Sequence, residues 1–593
     1  MSRKNPRLFR GFGFGVLLLL GSLTGCGDDD GASSLDAGAD AAPVDATADA
    51  GPLRYEPTDL RFQLQMLEDN VPGAALAIIE GGEVTHAAGY GRKHKEHPAP
   101  VEPTTLFRLA SVTKMLTAVG LLQQVQDGAV SLDDPITDHL PGFAFTGDAT
   151  AMNTADITVE HLLTHSSGIV DILWLDATPL YDDPAALHDF TYDVFVDAGY
   201  LMAPPGRMFN YSNPGFILAG LITELSAGAL YGPYLSDNVF GPLGMARTFF
   251  SPADVLADGD YAVGYISNDA WSQSLGTLWT EPDTYDNPWG WPAGYAFSSV
   301  LDLGRFVRFL RDGDPSVLAD DLQAAMQSPH VDTRWTADLI HYGYGLAVHN
   351  GLFLGEDFYD LTVISHDGAV PGFSSLLVFV PGCDLGIVTL ANTDGAYFGD
   401  TLEVALESLC DLPAPTTAPD IAADPADHPD FVGTYHDPHT FGDLIVTEDG
   451  TEDGTEDGTE LHVEIPSLIM GQQYNPVLTP LFKDSYLLHA YGSNLEFTFI
   501  RAPNGQAEYI RNRQFVARRT PPGAPPSPPP PLPPPPPPDS LPRALPRSLP
   551  RSLHRALPRS LHRSLPLALP RSLHRALPLA LPRSLRHRYR TLL

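Results

Sequence analysis

The sequence predicts an α+β fold in which one antiparallel sheet is assembled from N-terminal and C-terminal segments, flanked by helices and with a helical insertion between them. Two short apolar runs near the start, Ala74–Ile79 and Val84–Gly89, have the length of strands. Two more, Ser375–Val380 and Gly386–Ala391, follow far along the chain. The region between them shows helical periodicity. A small all-β domain and a tail without core-forming residues are expected to follow.

The elements of the first half are predicted from apolar periodicity and from turn residues. Glu56–Glu68 has the spacing of an amphipathic helix. The two glycines within Glu80–Glu83 separate the first two apolar runs, which predicts a β-hairpin. The next segment leads into a helix that is expected to begin near Ser111 and to end near Gly128.

The helical insertion is predicted from three further segments. Asp156–His165 is expected to be a helix with Thr158 as its N-cap. Phe216–Ser226 and Ser299–Leu310 repeat apolar residues with helical spacing. These segments separate the N-terminal strands from the C-terminal strands in the sequence.

The C-terminal half returns to strands, with Tyr342–His349 as a candidate strand, and closes with the helix Thr401–Leu409. This helix carries the chain back by about 15 Å, at 1.5 Å per residue, along the strand that precedes it. Cys383 and Cys410 could therefore become neighbours. A disulfide and two free buried thiols both remain open for this pair.

Composition divides the chain into six parts. They are a lipoprotein-type signal peptide (1–26), an acidic disordered tether (27–53), the α+β domain (54–414), a linker (415–428), a small β domain (429–520), and a disordered tail with a Pro-rich run and Leu-Pro-Arg repeats (521–593). The small β domain is predicted from its alternation of polar and apolar residues.

The N-terminus predicts export. A positively charged start precedes the apolar run Gly11–Leu20, which is too short to span a bilayer comfortably. Leu23–Cys26 resembles a bacterial lipobox, in which Cys26 becomes lipidated and the new N-terminus. An ordinary cleaved signal peptide is the alternative. The protein is therefore expected to be exported and lipid-anchored to the bacterial cell envelope, in the periplasm or on the outer surface.

The charge distribution excludes a nucleic-acid partner for the folded part. The formal net charge is -38, yet twelve arginines and no acidic residue follow from Ser540 onward, so the preceding residues carry about -50. Phosphate binding needs basic patches. The basic tail could contact anionic lipid or cell wall, or have no selected role. No cofactor or metal is expected: the Thr-Glu-Asp-Gly repeat at 447–458 lacks the ligand order of calcium loops and is interpreted as a solvated insertion.

The candidate nucleophile is Ser111, three residues before Lys114. A serine hydroxyl needs a base beside it, and residues three apart share one face of a helix. A desolvated lysine can lose its proton near neutral pH and accept one from serine. Only five lysines occur, and Lys114 alone has a serine at this spacing. The simpler interpretation is a surface lysine near a serine, and further motifs decide between the two.

Three short motifs fall in one order: Ser111-x-x-Lys114, Tyr211-x-Asn213 and His366-x-Gly368. Two blocks accompany them, Leu162–Gly168 and Pro205–Met245. Together these motifs resemble the serine β-lactamase-related family, which contains class C β-lactamases, D-alanyl-D-alanine carboxypeptidases and several esterases. The resemblance covers about 56–411 and implies a β-lactamase/transpeptidase-like fold. The small β domain looks like the lipocalin-like appendage of some relatives.

The resemblance implies a reaction through an acyl-serine intermediate. Ser111 would attack an ester or amide carbonyl, and Lys114 and Tyr211 would share the proton transfers. Asn213 would hold Lys114 and the amide of the substrate. The partner is then a small-molecule or peptide substrate; the oligomeric state is not predicted.

The third motif is expected to line the substrate site. The N–H groups of Ser111 and Ala369 would form the oxyanion hole, and Gly368 would leave room for substrate against the strand. Class C β-lactamases usually have lysine in place of His366, and histidine is mostly neutral at pH 7. Asp367 adds a negative charge beside the site. Both residues favour an esterase or peptidase over a β-lactamase.

Four alternatives compete with this hydrolase. A non-catalytic receptor for penicillin or cell-wall peptides would share the fold, but the intact Ser111, Lys114, Tyr211 and Asn213 favour an enzyme. A true class C-like β-lactamase remains possible as the activity. An α/β-hydrolase predicts a Gly-x-Ser-x-Gly elbow and a metallo-hydrolase predicts a His-x-His-x-Asp-His cluster, and the sequence has neither.

Overall fold

The structure of the protein is a computed structural model. It describes residues 52–95, 97–146, 152–171, 185–266, 279–280, 287–336, 338–450, 459–467, 474–490 and 493–521. The predicted signal peptide with Cys26, the tether up to residue 51 and the tail from residue 522 lie outside the described residues. Residues 52 and 53, which the sequence places in the tether, already belong to the first helix.

The described residues form 21 strands. These are β1 (Gly73–Glu80), β2 (Glu83–His94), β3 (His97–Pro100), β4 (Phe107–Arg108), β5 (Gly264–Tyr265), β6 (Trp279–Thr280), β7 (Phe297–Ser298), β8 (Val331–Asp332), β9 (Ile340–Tyr342), β10 (Ala347–Leu354), β11 (Asp357–Val370), β12 (Phe373–Val380), β13 (Leu385–Ala391), β14 (Gly433–Asp437), β15 (Gly442–Gly450), β16 (Thr459–Glu464), β17 (Tyr474–Phe482), β18 (Ser485–Ala490), β19 (Ser493–Arg501), β20 (Ala507–Asn512) and β21 (Phe515–Arg519).

The α-helices of the described residues are numbered in the same way. They are α1 (Pro52–Glu68), α2 (Thr113–Gln126), α3 (Ile136–His139), α4 (Val159–Leu163), α5 (Ala186–Phe190), α6 (Val196–Ala198), α7 (Asn213–Ala227), α8 (Tyr231–Leu235), α9 (Pro252–Asp258), α10 (Trp291–Gly294), α11 (Val300–Asp312), α12 (Asp320–Met326), α13 (Gly399–Leu409) and α14 (His428–Phe431). Short 3₁₀ turns cover Ala110–Val112, Thr154–Asp156, Pro288–Gly290, Pro381–Cys383 and Pro425–Asp427, and π-helical turns cover Thr191–Phe195 and Ser236–Phe240.

The main sheet joins the two ends of the α+β domain, as the sequence predicts. Its nine strands run in the order β3-β2-β1-β13-β12-β11-β10-β9-β8. The N-terminal strand β1 pairs antiparallel with β2 on one side and with β13 on the other, so that Ala74 lies opposite Ala391. Helices α2 to α12 come between these strands in the chain. The predicted α+β fold class is confirmed.

Strand β1 is buried on both faces because each face of the sheet carries a hydrophobic core. Ala75, Ala77 and Ile79 point into the larger core, which contains α2, α7 and α11. The alternate residues Leu76 and Ile78 point into the second core, which contains residues of α1 and α13. Successive side chains of a strand point to opposite faces, so a continuous apolar run is what this position requires.

Two predicted elements differ from the observed ones. The helix predicted for Asp156–His165 is only Val159–Leu163, because a 3₁₀ turn occupies the residues before it. Thr158 caps this helix as expected, and its Oγ1 accepts the backbone N–H of His161 at 3.3 Å. The strand predicted for Tyr342–His349 is divided between β9 and β10, which are antiparallel neighbours joined by a tight turn.

Cys383 and Cys410 form a disulfide, with Cα atoms 5.1 Å apart. Cys383 lies in the turn between β12 and β13, and Cys410 follows the last residue of α13. The helix therefore runs back along the sheet to the turn that precedes β13. Of the two alternatives left open by the sequence, the structure has the bridged one.

The small β domain is a closed barrel of the eight strands β14 to β21. Its apolar interior includes Tyr435, Tyr486 and Phe499. Part of the acidic repeat, residues 447–450, continues β15 and pairs with β16, while residues 451–458 lie outside the described part. The barrel packs on the α+β domain, because Ile500, Tyr509 and Val516 belong to the larger core of that domain.

Within the described part of the chain, no single helix combines the length and apolar composition needed to cross a bilayer. One pair of helical segments, Asn213–Ala227 and Tyr231–Phe240, meets the test only together and is bent by 79°.

Candidate active site

Ser111 lies on a tight turn that is fixed from both sides. Ala110, just before it, has a φ of 46°, which a residue with a Cβ adopts only where its surroundings enforce it. The N–H of Leu109 donates to the carbonyl of Ala296 at 2.8 Å, and Ser375 Oγ on β12 donates to the carbonyl of Leu109 at 2.6 Å. The side chain of Ser111 is half-buried and remains accessible.

Lys114 lies one helical turn after Ser111 and is fully buried. Its Nζ is 3.1 Å from Ser111 Oγ, 2.7 Å from Asn213 Oδ1 and 2.5 Å from the carbonyl oxygen of Ala293. Burial lowers the pKa of Lys114 well below its usual 10.5, while the charge of Asp171 opposes this shift. The neutral amine is therefore much more accessible here than on a surface lysine.

The contacts of Lys114 determine where its lone pair points. The oxygens of Asn213 Oδ1 and of the Ala293 carbonyl can only accept hydrogen bonds, so each takes one N–H of the amine. A neutral amine has two N–H groups and one lone pair. The lone pair is then left for the third neighbour, the hydroxyl of Ser111. This is the arrangement that a general base for Ser111 needs.

Tyr211 is buried beside this pair, between aromatic and cationic groups. Its ring lies 4.1 Å from the ring of His165, and Lys114 Nζ is 4.9 Å from its centroid. Burial raises the pKa of Tyr211 above 10, although Arg513 and a hydrogen bond with Ser111 act in the opposite direction. Tyr211 is accordingly a protonated phenol in the resting site.

Asn213 is positioned by the start of α7. Ser212 caps this helix, and its Oγ accepts the N–H of Gly215 at 3.3 Å. The backbone N–H of Asn213 donates to Asp171 Oδ1 at 2.9 Å. The cap and this second bond hold the Asn213 amide toward Lys114.

His366 is held by two hydrogen bonds and is neutral. Its Nδ1 lies 2.6 Å from the carbonyl oxygen of Asp367, which can only accept, so Nδ1 carries the proton. Its Nε2 then accepts the hydroxyl of Tyr342 at 2.8 Å. Burial lowers the pKa of His366 to about 3, so the ring is neutral at pH 7.

Asp367 follows on the same strand with its carboxylate shielded from solvent. Its Oδ2 has no hydrogen-bond partner within the described part of the chain. Burial raises the pKa of Asp367 to about 7, and Arg513 and Lys114 limit the rise. The negative charge that the sequence suggests beside the site is therefore only partly present at neutral pH.

Gly368 brings strand β11 against the Ser111 turn. A Cβ at this position would lie 2.5 Å from the carbonyl oxygen of Leu109 and 2.5 Å from Ser375 Oγ. The close approach of the Ser111 turn is thus one reason for glycine here, and the expected room for substrate stays a prediction. The pairing of β11 with β10 ends at Ser365, so that Gly368 and Ala369 pair with β12 alone in the described residues.

The structure thus brings Ser111, Tyr211 and Asn213 around Lys114 and places Gly368 against the Ser111 turn. His366 lies behind Tyr211, with ring centroids 6.4 Å apart. The oxyanion hole at Ser111 and Ala369 stays a prediction.

Three functional neighbours were missed by the sequence analysis: the Asp171 carboxylate, the Ala293 carbonyl and Arg513. Arg513 comes from the barrel and bonds to Asp171 with its Nε at 2.6 Å. The Ala293 contact is made by a backbone oxygen, which every residue type has, so the sequence cannot indicate it. Of the three, Asp171 alone has a signal in the sequence, because this aspartate follows the block Leu162–Gly168 by three residues.

Comparison with known proteins identifies the family and the fold. A profile of the family described as Beta-lactamase matches residues 58–408. Protein flp of Staphylococcus aureus (strain NCTC 8325 / PS 47) is 28% identical over 346 residues, which are 58% of this chain and 64% of that protein. Less than two thirds of that relative is therefore covered. Penicillin-binding protein 4 of Amycolatopsis lactamdurans is 30% identical over 394 residues, 63% of this chain and 96% of that one.

Two solved structures share the fold over most of this chain. The octameric penicillin-binding protein homologue from Pyrococcus abyssi is 22% identical with a TM-score of 0.51, and the match covers 78% of this chain and 99% of that one. The structure of SurE with D-Leu is 23% identical with a TM-score of 0.56, covering 79% and 100%.

Proposed function

Because this chain belongs to the Beta-lactamase family, we propose that it is a serine hydrolase that forms an acyl-enzyme at Ser111 on an ester or peptide substrate. The observation that carries the proposal is the environment of Lys114. Its amine has two oxygen acceptors and one hydroxyl within 3.1 Å, so that its lone pair is directed at Ser111. The same three contacts would also satisfy an ammonium, and it is the lowered pKa of Lys114 that favours the neutral amine with its lone pair toward Ser111.

The acylation step follows from these contacts. Lys114 Nζ takes the hydroxyl proton of Ser111 while Oγ forms a bond to the substrate carbonyl carbon. The carbonyl oxygen becomes an oxyanion, for which the N–H groups of Ser111 and Ala369 are the candidate donors. The bond to the leaving group then breaks, and that group takes the proton of Tyr211, which Lys114 replaces. Water attacks the acyl-serine in the same way, and the acid leaves.

The acyl donor is proposed to be an ester or a D-alanyl-D-alanine-type peptide rather than a β-lactam. A neutral His366 and a nearby Asp367 supply no fixed positive charge for a substrate carboxylate from this strand, which favours a neutral ester. The peptide, which ends in a carboxylate itself, is proposed from the family resemblance alone. The names of the Amycolatopsis relative and of the archaeal homologue point to penicillin binding. Penicillin can therefore be expected to acylate Ser111 slowly even where it is a poor substrate.

The test is covalent labelling of the purified protein with a fluorophosphonate probe and with a labelled penicillin. Ser111→Ala should abolish both adducts, while Ser166→Ala, a buried serine in the block Leu162–Gly168, should keep them. An unlabelled wild-type protein that is folded contradicts the proposal. Labelling without turnover of any substrate identifies the alternative, a non-catalytic receptor.

Substrate class is decided by a panel of short-chain esters, D-alanyl-D-alanine peptides and a cephalosporin. Ester or peptide hydrolysis that exceeds cephalosporin hydrolysis supports the proposed class. Efficient cephalosporin hydrolysis identifies a class C-like β-lactamase instead.

We also propose that the enzyme is exported and anchored by lipid at Cys26, on the basis of the sequence Leu23–Cys26. Expression in a bacterial host followed by membrane fractionation tests this. The wild-type protein should be in the membrane fraction, and Cys26→Ser should release it or block its maturation. An unchanged distribution contradicts the anchor.

A further inference from the structure

A loop of the barrel reaches the candidate active site. Arg513 lies between β20 and β21, and its carbonyl oxygen accepts the Asn210 Nδ2 amide at 3.4 Å. Its neighbour Arg511 is buried and donates to the carbonyl of Phe209 at 2.8 Å. Both contacts fall on the segment that leads into Tyr211. The barrel is thereby docked on the irregular segment before α7, which carries the proposed catalytic residue Tyr211.

The guanidinium of Arg513 occupies a defined position between two residues of the site. Its Nε and Nη2 both lie 2.6 Å from Asp171 Oδ2, and the Asp171 side chain is completely buried. Its central carbon is 4.7 Å from the centroid of the Tyr211 ring. Arg513 therefore contacts the carboxylate that holds Asn213 and, at the same time, covers a face of the phenol.

The charges around the proton-transfer groups depend on this arginine. Titratable or charged groups that face Lys114 and Tyr211 from the elements packed around them are Asp171, His165, Tyr342, His366, Asp367 and Arg513. Both histidines are neutral, because burial lowers the pKa of each. In the described part of the site, the positive charges are thus Lys114 when protonated and Arg513. A buried carboxylate such as Asp171 is costly without a partner.

We propose that the barrel is part of the catalytic apparatus and that Arg513 is a positioning residue, which neutralises Asp171 and stabilises the proton-poor forms of Lys114 and Tyr211. The inference rests on the proposed acyl-serine chemistry. It gives the barrel a role in the reaction itself. Arg513 forms no bond to substrate in this role.

The direction of the effect follows from the electrostatics. Burial is the largest influence on both residues, and the Arg513 charge lowers the pKa of each, whereas Asp171 raises it. Loss of Arg513 removes a repulsion from protonated Lys114 and leaves Asp171 unbalanced. Both changes favour the ammonium form. The pH at which Lys114 becomes a base therefore rises.

The test is the pH dependence of fluorophosphonate labelling of Ser111 in the full-length chain. Arg513→Gln should move the acidic limb of the pH–rate profile, where Lys114 loses its proton, upward by about one pH unit, which is about tenfold slower labelling at pH values below this limb. Arg518→Gln is the matched control: it lies on β21, is bonded to Glu508 at 3.3 Å, has a 69% exposed side chain, and should leave the limb unchanged. If Arg513 had a mainly structural role, its loss would reduce the amount of labelled protein at every pH without moving the acidic limb of the pH dependence.

Two further variants keep the inference testable if Arg513→Gln disturbs folding. Asp171→Asn removes the opposing charge but keeps an acceptor for Asn213, and it should move the limb downward. Arg513→Lys keeps the charge and should restore most of the wild-type limb. If the wild type and all variants are labelled with the same pH dependence, the role of Arg513 is overturned and the proposed function stands. A wild-type protein that is never labelled overturns the proposed function, and the inference with it.

Discussion

Burial acts in opposite directions on the two residues that are proposed to move protons. It lowers the pKa of Lys114, whose charged form is the protonated one, and raises the pKa of Tyr211, whose charged form is the deprotonated one. The same apolar environment thus favours the neutral amine, which can accept a proton, and the protonated phenol, which still has one to deliver. This assignment gives Lys114 the first proton transfer and Tyr211 the delivery to the leaving group.

Lys114→Ala and Tyr211→Phe should each reduce ester turnover at least about a hundredfold, because each removes one of the two proton-transfer groups. The steady-state rate with a short-chain ester is the measurement. Lys95→Ala is a suitable control, since Lys95 contacts the ring of Tyr265 away from Ser111. Wild-type-like turnover in either variant excludes that residue from the mechanism.

Asp367 should make the protein less stable as the pH rises. Its ordinary pKa is 3.8 and burial raises it to about 7. Between these values the unfolded chain has lost the proton that the folded chain retains, so the free energy of unfolding decreases with increasing pH. Asp367→Asn removes this penalty, and its melting temperature relative to the wild type should be higher at pH 8 than at pH 4.

Asp384→Asn provides a control of opposite sign for this experiment. A hydrogen bond with Arg311 lowers the pKa of Asp384, so its stabilising effect is present above the ordinary pKa and is lost on acidification. Its substitution should destabilise the protein at pH 8 and have less effect at low pH. A Asp367→Asn profile parallel to that of the wild type contradicts the shifted pKa.

Among the secondary-structure elements, those with strong apolar periodicity and clear turn residues were predicted correctly from the sequence. The hairpin around Gly81 and Gly82 is an example, because both glycines have positive φ in the turn. The prediction for Tyr342–His349 was less accurate because β9 and β10 are joined by a turn that their apolar pattern does not interrupt. The helix at Asp156–His165 was overextended because the capping residue was recognised but the preceding 3₁₀ turn was not.

The contact between β11 and the nucleophile turn predicts that Gly368→Ala will impair the enzyme. The added methyl group would meet the carbonyl oxygen of Leu109 at 2.5 Å, and this backbone atom cannot move without shifting Ser111. We expect at least about a tenfold loss of fluorophosphonate labelling. The rate constant of labelling under pseudo-first-order conditions measures it.

Gly382→Ala, in the turn between β12 and β13, is the matched control. Its added methyl group would meet only the tip of the Leu361 side chain, at 3.0 Å, and this side chain can move aside. Normal labelling in Gly368→Ala would show that the turn tolerates displacement. The proposed geometry of the site would then need revision.

The candidate site was predictable where it is local and where motifs mark it, and not where it depends on distant packing. Ser111 and Lys114 are one helical turn apart, so their proximity follows from helix geometry. Asp171 and Arg513 meet only because the barrel packs on the α+β domain, and no spacing in the sequence records that contact. The family resemblance supplied Tyr211 and Asn213, which spacing alone could not connect to Lys114.

At the scale of the whole molecule, the barrel and the α+β domain are predicted to unfold together. Arg511 is buried at their contact and donates to the carbonyls of Phe209 and Thr333 at 2.8 and 2.9 Å. Arg511→Met should destabilise the protein by about 2–4 kcal/mol, because buried carbonyl groups lose their donors. Scanning calorimetry should then resolve two transitions where the wild type shows one.

Arg518→Met serves as the control, since it removes an arginine of the same barrel that is exposed to solvent. It should leave a single transition at nearly the wild-type temperature. Two transitions in the wild-type protein would contradict the coupled unfolding of the barrel and the α+β domain.

The pairing of β1 with β13 also determines when this domain can fold. Ala74 can pair with Ala391 only after almost the whole domain has been synthesised. Contacts between residues so far apart in the sequence form slowly. Until then the hairpin of β1 and β2 exposes apolar side chains on both faces. We therefore predict that the nascent chain stays unfolded for most of its synthesis, which is the state that the proposed export through a membrane pore would need. A chain cut short before β13 should yield an unfolded polypeptide, and no smaller working enzyme.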